Sequence, residues 1–350
     1  MRTSPWEKKA ARFAELMPKS WLHPAVKEWI EGREAGAHGT WAVAFSGGAD
    51  SLGLLLLLWA HWPERRGQLV ALHFNHRLRG RAAGADERCC RSVCTALGVR
   101  LRVGRWQRVP PAASEEEARA ARFAFFAERM NRIRARALWL GHHQNDIAET
   151  MLMRLARGSG TGGLAAPRPV QRVGSRVHLR PLLVLKKGAI VAAMRTAGIG
   201  WREDRTNAGG DHFRNRIRHR VLPAWQKAAG RDAVAGAALA RDLLEEDDSA
   251  LETWLDELRP VRRGVLDLAI LKGRPRAIFR RALRSWLGVQ PLAGELSRQG
   301  FEDLLEVVRA GRPDRRSLGR KGFAVVRGGQ LRFERMIGRK NAGRKRGKAR

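Results

Sequence analysis

Cysteine is scarce in this chain of 350 residues, and its placement excludes a disulfide-stabilised fold. The three cysteines, Cys89, Cys90 and Cys94, lie within six residues of one another. That spacing allows neither a disulfide framework nor a CxxC pair. Small secreted domains usually depend on such frameworks, whereas reducing compartments keep thiols free. We therefore expect a protein of a reducing compartment, with its cysteines packed as small apolar residues on one helix.

Long apolar runs are also missing from the chain. The longest, Leu52–Ala60, is far shorter than the ~20 residues that a membrane-spanning helix needs. We therefore expect no membrane partner, and the free cysteines together with this absence predict a cytoplasmic protein.

Acidic residues are half as numerous as basic ones. There are 34 Asp and Glu against 68 Lys and Arg, which gives a formal net charge of +34. Because the excess is spread along the whole chain, it indicates a polyanionic partner such as nucleic acid. A GC-rich genome, which favours arginine, is an alternative source of this excess. Hydrophobic residues make up 44% of the chain, enough for a buried core, and the length favours two domains.

Short apolar runs alternate with helical patterns through about residue 215. The runs that have the character of strands are residues 41–45, 69–76, 99–106 and 137–143. A buried strand followed by a helix, repeated in this way, is typical of a parallel sheet with helices on both faces. The sequence therefore predicts an α/β fold with a doubly wound parallel sheet.

The composition changes after about residue 222, where Ala-, Leu- and Glu-rich helical segments replace the alternation. Residues 323–333 differ from these segments, with the alternating pattern and Gly-Gly turn of a hairpin. The last sixteen residues, 335–350, carry eight Lys or Arg and almost nothing apolar. We expect a helical N-terminal extension (1–38), an α/β domain (39–222), a smaller, mostly helical domain (223–334) and a disordered basic tail (335–350).

A short loop after the first strand has the composition of a phosphate-binding site. It consists of Ser46, Gly47, Gly48, Ala49, Asp50 and Ser51. Glycines let the backbone turn tightly and present N–H groups to an anion at a helix N-terminus. The carboxylate of Asp50 fits an anion site once Mg²⁺ lies between it and the phosphates. No Gly-Lys-Ser/Thr follows, so this is not a Walker A loop; an ordinary glycine turn is the alternative.

The SGGADS sequence in this strand–helix context resembles the pyrophosphate loop of the PP-loop, or N-type, ATP pyrophosphatases. The resemblance implies the adenine nucleotide alpha hydrolase-like fold. It also implies cleavage of ATP to AMP and pyrophosphate, with adenylation of a carbonyl-type oxygen. The loop does not identify that oxygen, because it handles only the ATP.

Further segments resemble those of one branch of this family, the tRNA(Ile)-lysidine synthetases. They are HFNHRLR at 73–79, the helix from Ser114 with Glu115, Arg119 and Arg122, the HHQND segment with its helix and RGSG loop at 142–164, RPLL at 180–183, EDRTN at 203–207 and RNRIR at 214–218. Three positions depart from the family pattern: Phe123 replaces a tyrosine, Asn145 an aspartate and Thr206 a serine. The family has two aspartates at positions 145 and 146. Because the amide of Asn145 has no charge to offer a metal or a proton, we expect Asp146 to carry more of the role of that pair.

The resemblance implies that the substrates are ATP, L-lysine and the tRNA(Ile) with a CAU anticodon, with Mg²⁺ as cofactor. The C2 oxygen of cytidine 34 would be adenylated, and the lysine ε-amine would then displace AMP. The implied ATP-binding residues are Ser46, Gly47, Gly48, Ala49, Asp50, Ser51 and His73, and the implied catalytic residues are Asp50, Asp146 and Arg119, with Asp50 and Asp146 also holding Mg²⁺. Residues 39–222 would form the catalytic domain, and residues 223–334 would bind the tRNA.

Other functions stay open on the sequence alone. A tRNA thiolase has the same loop but usually needs clustered cysteines for sulfur or an iron–sulfur centre, an arrangement that this chain lacks. An amide-forming synthetase would need a glutaminase domain or a catalytic cysteine. A basic RNA-binding protein with a degenerate ATP fold is the non-catalytic alternative, and the intact SGGADS loop argues against it.

Overall fold

The computed structural model describes residues 4–32, 39–78, 80–110, 113–202, 213–291, 296–319 and 322–336. Two helices, α1 (Pro5–Leu16) and α2 (Pro24–Glu31), precede the first strand. Ser4 caps α1: its hydroxyl accepts a hydrogen bond from the Glu7 N–H, and the Glu7 carboxylate accepts one from the Ser4 N–H. This reciprocal pair satisfies donors that the first helical turn leaves free.

Six strands of the first part of the chain form one sheet. They are β1 (Trp41–Ala44), β2 (Leu69–Asn75), β3 (Arg100–Arg105), β4 (Ala137–Trp139), β5 (Val170–Val173) and β6 (Arg176–Leu179). Their order is β3-β2-β1-β4-β6-β5, and every neighbouring pair is parallel except β5 with β6. The strand order reverses between β1 and β4, which is where an open α/β sheet binds ligands. The predicted α/β class is confirmed.

Helices cover both faces of this sheet. The helices that follow β1 are α3 (Ala49–His61), α4 (Arg81–Ala96), α5 (Glu115–Arg132), α6 (Gln144–Ala156), α7 (Thr161–Leu164), α8 (Lys187–Thr196), α9 (Phe213–Arg216), a π-helix (Ile217–Val221), α10 (Leu222–Ala229) and α11 (Ala233–Leu258). Successive residues of β1 belong to different apolar clusters: Trp41 packs with the leucines of α3, and Ala42 with Phe125 of α5. Because both faces of β1 are buried, its sequence is a continuous apolar run.

Gly141 brings the end of β4 against the N-terminus of α3. A Cβ built at this position would lie 2.7 Å from the backbone oxygen of Asp50 and 3.2 Å from the backbone nitrogen of Ser51. These atoms belong to helix backbone, so they cannot rotate away as a side chain would. The absence of a side chain at Gly141 therefore lets the HHQND segment lie beside the phosphate loop.

We expect Gly141→Ala to destabilise the protein by about 1–3 kcal/mol, the usual cost of forcing extra carbon into a packed site. Urea unfolding measures this cost. Gly236→Ala in α11 is the matched control, because a Cβ there would meet nothing within 4 Å; alanine in that helix is expected to be neutral or stabilising. Equal stabilities of the two variants would contradict the close approach at Gly141.

The C-terminal part of the chain combines helices with a second sheet. Its elements after α11 are β7 (Val261–Arg262), β8 (Val265–Asp267), α12 (Arg276–Gly288), α13 (Arg298–Ala310), β9 (Asp314–Ser317), β10 (Gly322–Arg327) and β11 (Gln330–Arg335). The five strands are antiparallel, in the order β7-β8-β11-β10-β9. Strands β10 and β11 form the predicted hairpin. The sequence does not predict β7, β8 or β9, because two to four residues are too few to show alternation.

The chain divides into two compact units, one up to Glu245 and one from Glu246 onward. The division falls within α11, later than the domain boundary expected at 222/223. The composition changes earlier because α10 and the first half of α11, which are rich in alanine and leucine, belong to the first unit. The assignment of catalysis to residues 39–222 and of tRNA binding to residues 223–334 stays a prediction.

Several predicted segments lie outside the described residues: the EDRTN segment at 203–207, Arg79 of the HFNHRLR segment and the basic tail from residue 337. Within the described part of the chain, no helix has both the length and the apolar character needed to span a membrane.

Candidate active site

The SGGADS loop is held in shape by its own serines. The Ser51 hydroxyl accepts a hydrogen bond from the Ser46 N–H (3.1 Å) and lies 2.9 Å from the Ser46 hydroxyl. Gly47 has φ = +86°, a conformation that favours glycine. Gly48 is the N-cap of α3 and has no side chain with which to cap it. The first turn of α3 therefore has free backbone N–H groups, which could donate hydrogen bonds to a phosphate.

A cavity of about 970 Å³ lies above this loop, at the carboxyl ends of β1, β2 and β4. Most predicted site residues line it: Ser46, Gly48, Ala49, Asp50, Ser51, His73 and Asp146. Gly47 and Arg119 do not line it. Gly47 faces α4 instead of the cavity, since a Cβ built on it would lie 3.1 Å from the Cys90 sulfur. The Arg119 guanidinium carbon lies 4.7 Å from the centre of the Phe123 ring.

His143 lies between the two aspartates predicted to act in catalysis. Its Nε2 is 3.5 Å from Asp50 Oδ1, and its Nδ1 is 3.4 Å from Asp146 Oδ2. Burial alone would lower the pKa of His143, but the two carboxylates outweigh it and raise that pKa. Burial would raise the pKa of Asp50, but His143 and Lys187 beside it lower that pKa. The chain thus keeps both carboxylates charged at neutral pH.

Two arginines from the RNRIR segment hold α6 in place. Arg214 donates to Asp146 Oδ1 (2.8 Å) and to Glu149 Oε2 (2.8 Å). Arg218 donates to both oxygens of Glu149, at 2.6 and 2.8 Å. Glu149 is only 1% exposed, so these charged hydrogen bonds are what compensates the burial of its carboxylate.

Arg180, from the RPLL segment, fixes the tautomer of His142. The Arg180 Nε donates to His142 Nδ1 (3.2 Å), and since arginine has no acceptor, Nδ1 must carry the lone pair. Burial, assisted by the nearby arginines and opposed by Asp146, lowers the pKa of His142 to about 3. His142 is therefore neutral, with its proton on Nε2, and it lines the cavity as a hydrogen-bond donor.

The arginines of α5 form a cluster with little compensating charge. Burial lowers the pKa of Arg122 to about 10, and Arg119 and Arg214 repel its charge as well. The pKa of Arg119 is lowered for the same reasons, burial first and then Arg214. Arg122 lines the cavity. A guanidinium group at the cavity wall that is repelled by its neighbours is suited to a bound anion such as a phosphate.

His73 presents an acceptor to the cavity. Its Nδ1 lies 2.9 Å from the backbone oxygen of Phe45, and because a carbonyl only accepts, Nδ1 carries the proton. The buried Nε2 has no hydrogen-bond partner among the described residues, and His73 lines the cavity. A ligand N–H or O–H would satisfy this atom.

The donor set suits Mg²⁺ at Asp50 better than at Asp146. The nearest partner of the buried Asp50 Oδ1 is His143 Nε2, at 3.5 Å, whereas each Asp146 oxygen already accepts a hydrogen bond of 2.8–3.0 Å. No group of three or more His, Cys, Asp or Glu in the described part of the chain could hold a metal by itself. Mg²⁺ at a nucleotide site usually takes one or two carboxylates, the phosphates and water, so Asp50 fits that mode.

Several residues that shape the site are not among those predicted for it. His143 and Glu149 belong to the HHQND helix, where the i, i+3 spacing of Asp146 and Glu149 places both carboxylates on one face. Lys187 carries no signal in the sequence, because nothing local indicates that the start of α8 lies beside Asp50. Its Nζ is 3.5 Å from Asp50 Oδ2.

The parallel sheet, the open N-terminus of α3 and the cavity together define a nucleotide-binding α/β protein. The sequence matches the PP-loop domain family (ATP_bind_3), a family of ATP-binding domains, over residues 22–225. The chain belongs to that family.

Curated relatives give a finer comparison. The chain is similar to the tRNA(Ile)-lysidine synthase of Symbiobacterium thermophilum, with 36% identity over 290 residues, which are 78% of the chain and 60% of the relative. It is similar to the synthase of Solibacter usitatus, with 42% identity over 57% of the chain and 45% of the relative. The chain thus spans about 60% or less of the length of these relatives.

Among solved structures, the chain is similar to the U34-tRNA thiolase NcsA from Methanococcus maripaludis, which has a [4Fe-4S] cluster. The identity is 13% and the TM-score 0.49, over 68% of the chain and 78% of the thiolase. A likeness this distant carries no argument about function.

Proposed function

We propose that the chain is a tRNA(Ile)-lysidine synthase, a ligase that forms a carbon–nitrogen bond between L-lysine and C2 of cytidine 34 in the CAU anticodon. The observation that carries the proposal is one cavity lined by both the SGGADS loop and the HHQND segment. Two segments about 90 residues apart in the sequence, one for ATP and one resembling the lysidine synthetases, thereby serve a single site. The similarity of 34–37% to curated synthases over 74–79% of the chain supports it.

The proposed reaction has two steps. The C2 oxygen of cytidine attacks the α-phosphorus of ATP, which forms an oxygen–phosphorus bond and releases pyrophosphate. The ε-amine of lysine then attacks C2, and AMP leaves with the oxygen. Cytidine C2 is a poor electrophile with a poor leaving oxygen, so adenylation is what allows the amine to displace it.

The described residues have distinct roles in this reaction. The N–H groups at the start of α3 hold the phosphates, and Asp50 and Asp146 stay charged beside them. When bound, Mg²⁺ would neutralise charge on the departing pyrophosphate, and Asp50 would hold it. His142 donates from Nε2, and Arg122 supplies positive charge at the cavity wall for a phosphate. The net charge of +34 favours the tRNA electrostatically.

Two of the three cysteines, Cys90 and Cys94, disfavour the thiolase alternative. Cys90 and Cys94 are buried on α4, and burial raises the pKa of both thiols, that of Cys94 to about 12. A sulfur-transfer reaction needs an accessible thiolate or cluster ligand, which these two residues do not provide. The predicted cytoplasmic location is in keeping with a tRNA substrate.

Purified protein should release AMP and pyrophosphate in productive turnover only when lysine and the CAU-anticodon tRNA are both present. Radiolabelled lysine should become attached to that tRNA through a linkage stable to mild base, unlike an aminoacyl ester. The control is the same tRNA with uridine at position 34. Lysine label on this control, or sulfur incorporation in place of lysine, would reject the proposal.

A further inference from the structure

The phosphate loop contains no cation of its own. Its one charged residue is Asp50, a carboxylate, within SGGADS. A site that holds a triphosphate and releases pyrophosphate needs positive charge beside the β- and γ-phosphates. The lysine of a Walker A loop supplies this charge from within the loop; here it must come from another segment.

Lys187 is placed to supply that charge. It is the first residue of α8 and lines the cavity, and its Nζ lies 3.5 Å from Asp50 Oδ2. The side chain is 44% exposed, so it has room to turn from Asp50 towards a ligand. The neighbouring Lys186 points elsewhere and pairs with Asp232.

Asn145 anchors the start of α8. Its Oδ1 accepts a hydrogen bond from the Lys187 backbone N–H (3.1 Å), and the Gln144 N–H donates to the Leu185 oxygen (2.9 Å). These two bonds fasten the start of α6 to the start of α8 across 42 residues of sequence. An aspartate at position 145 would offer the same acceptor oxygen, so the departure from the family pattern preserves this contact.

We propose that Lys187 binds the β- and γ-phosphates of the nucleotide and the pyrophosphate that leaves, and that Asn145 is the positioning residue that holds Lys187 over the loop. Lys187 exchanges its ion pair with Asp50 for one with phosphate when the nucleotide enters. This inference rests on ATP being the substrate of the proposed function, but not on lysine or tRNA.

Calorimetric titration of the full chain with inorganic pyrophosphate, ATP and AMP tests the role of Lys187. Lys187→Met should weaken binding of pyrophosphate and ATP by about 10- to 100-fold, the loss expected for one hydrogen bond to a charged group. It should leave AMP, which lacks those phosphates, unchanged. Lys186→Met is the matched control: it removes the same charge one residue away and should have little effect.

Three results would overturn the assignment of Lys187: wild-type affinity of Lys187→Met for pyrophosphate, an equal loss for AMP, or an equal loss in Lys186→Met. Failure of the wild-type chain to bind pyrophosphate would also overturn it. Because the titration contains neither tRNA nor lysine, failure of lysine transfer alone would reject the proposed function and leave this result intact.

A double-mutant cycle tests Asn145 through the same titration. Asn145→Ala should weaken pyrophosphate binding, and Asn145→Asp should restore it. In the Lys187→Met background, Asn145→Ala should have little further effect, because it acts through Lys187. An additive loss in the double variant, or no rescue by Asn145→Asp, would show that Asn145 does not position Lys187.

Discussion

Asp50→Asn is expected to lower the rate of ATP cleavage by about 10²-fold or more. The substitution keeps the shape of the side chain but removes the charge of a carboxylate whose nearest cationic groups, His143 and Lys187, each lie 3.5 Å away. Loss of a metal-mediated charge contact to the leaving group costs several kcal/mol of transition-state stabilisation. The measurement is pyrophosphate release under saturating ATP, lysine and tRNA.

Asp232→Asn serves as the control for this prediction. Its side chain is 39% exposed and pairs with Lys186 outside the loop, so the variant loses the same charge without touching the phosphate site. Its rate should match that of the wild type. Undiminished pyrophosphate release by a well-folded Asp50→Asn protein would reject the assignment of the loop.

Glu149→Gln is expected to destabilise the protein by about 3–5 kcal/mol. Glu149 accepts three hydrogen bonds from Arg214 and Arg218 and is 1% exposed. The amide removes the counter-charge that both guanidinium groups share, leaves Arg214 with Asp146 alone at 2.8 Å, and places its own N–H group against them. Breaking a buried ion pair by removing one partner carries a cost of this size. The free energy of unfolding in urea is the quantity to measure.

The control for Glu149 is Glu15→Gln in α1. Glu15 pairs with Arg12, but the two side chains are 64% and 57% exposed, and exposed pairs contribute about 0–1 kcal/mol. If both variants lost the same free energy of unfolding, the buried contacts of Glu149 would contribute no more to stability than an exposed ion pair. If Glu149→Gln folded as stably as the wild type, the two arginines would have other partners.

The phosphate loop is an example of what the sequence determines by itself. Glycine at a position with φ = +86°, the serines that close the loop and the helix that follows are all consequences of local chemistry. The buried strands β1 and β2 are equally evident, since burial on both faces requires the continuous apolar runs seen at residues 41–45 and 69–76. The loop and the strands together are the local features on which the family resemblance depends.

The second sheet shows where the sequence pattern is insufficient. Strands β7 and β8 contain two and three residues. The pairing of β7 with β8 and of β8 with β11 is set by tertiary packing instead of alternation. The boundary between the two compact units lies within α11, one continuous helix with no turn or linker to mark it. No local signal distinguishes which unit the residues of this helix pack against.

By itself, then, the sequence determined the α/β class, the phosphate loop and the segments that resemble lysidine synthetases, because each depends on neighbouring residues. Only the tertiary structure placed His143 between Asp50 and Asp146, Arg214 and Arg218 against Glu149, and Lys187 beside the loop. Apart from that between His143 and Asp146, these contacts join segments tens of residues apart. They form because strand order and the close approach at Gly141 bring the ends of strands to one edge of the sheet. The spacing of Asp50 and Lys187, or of Glu149 and Arg214, in the sequence gives no sign that these charges will meet.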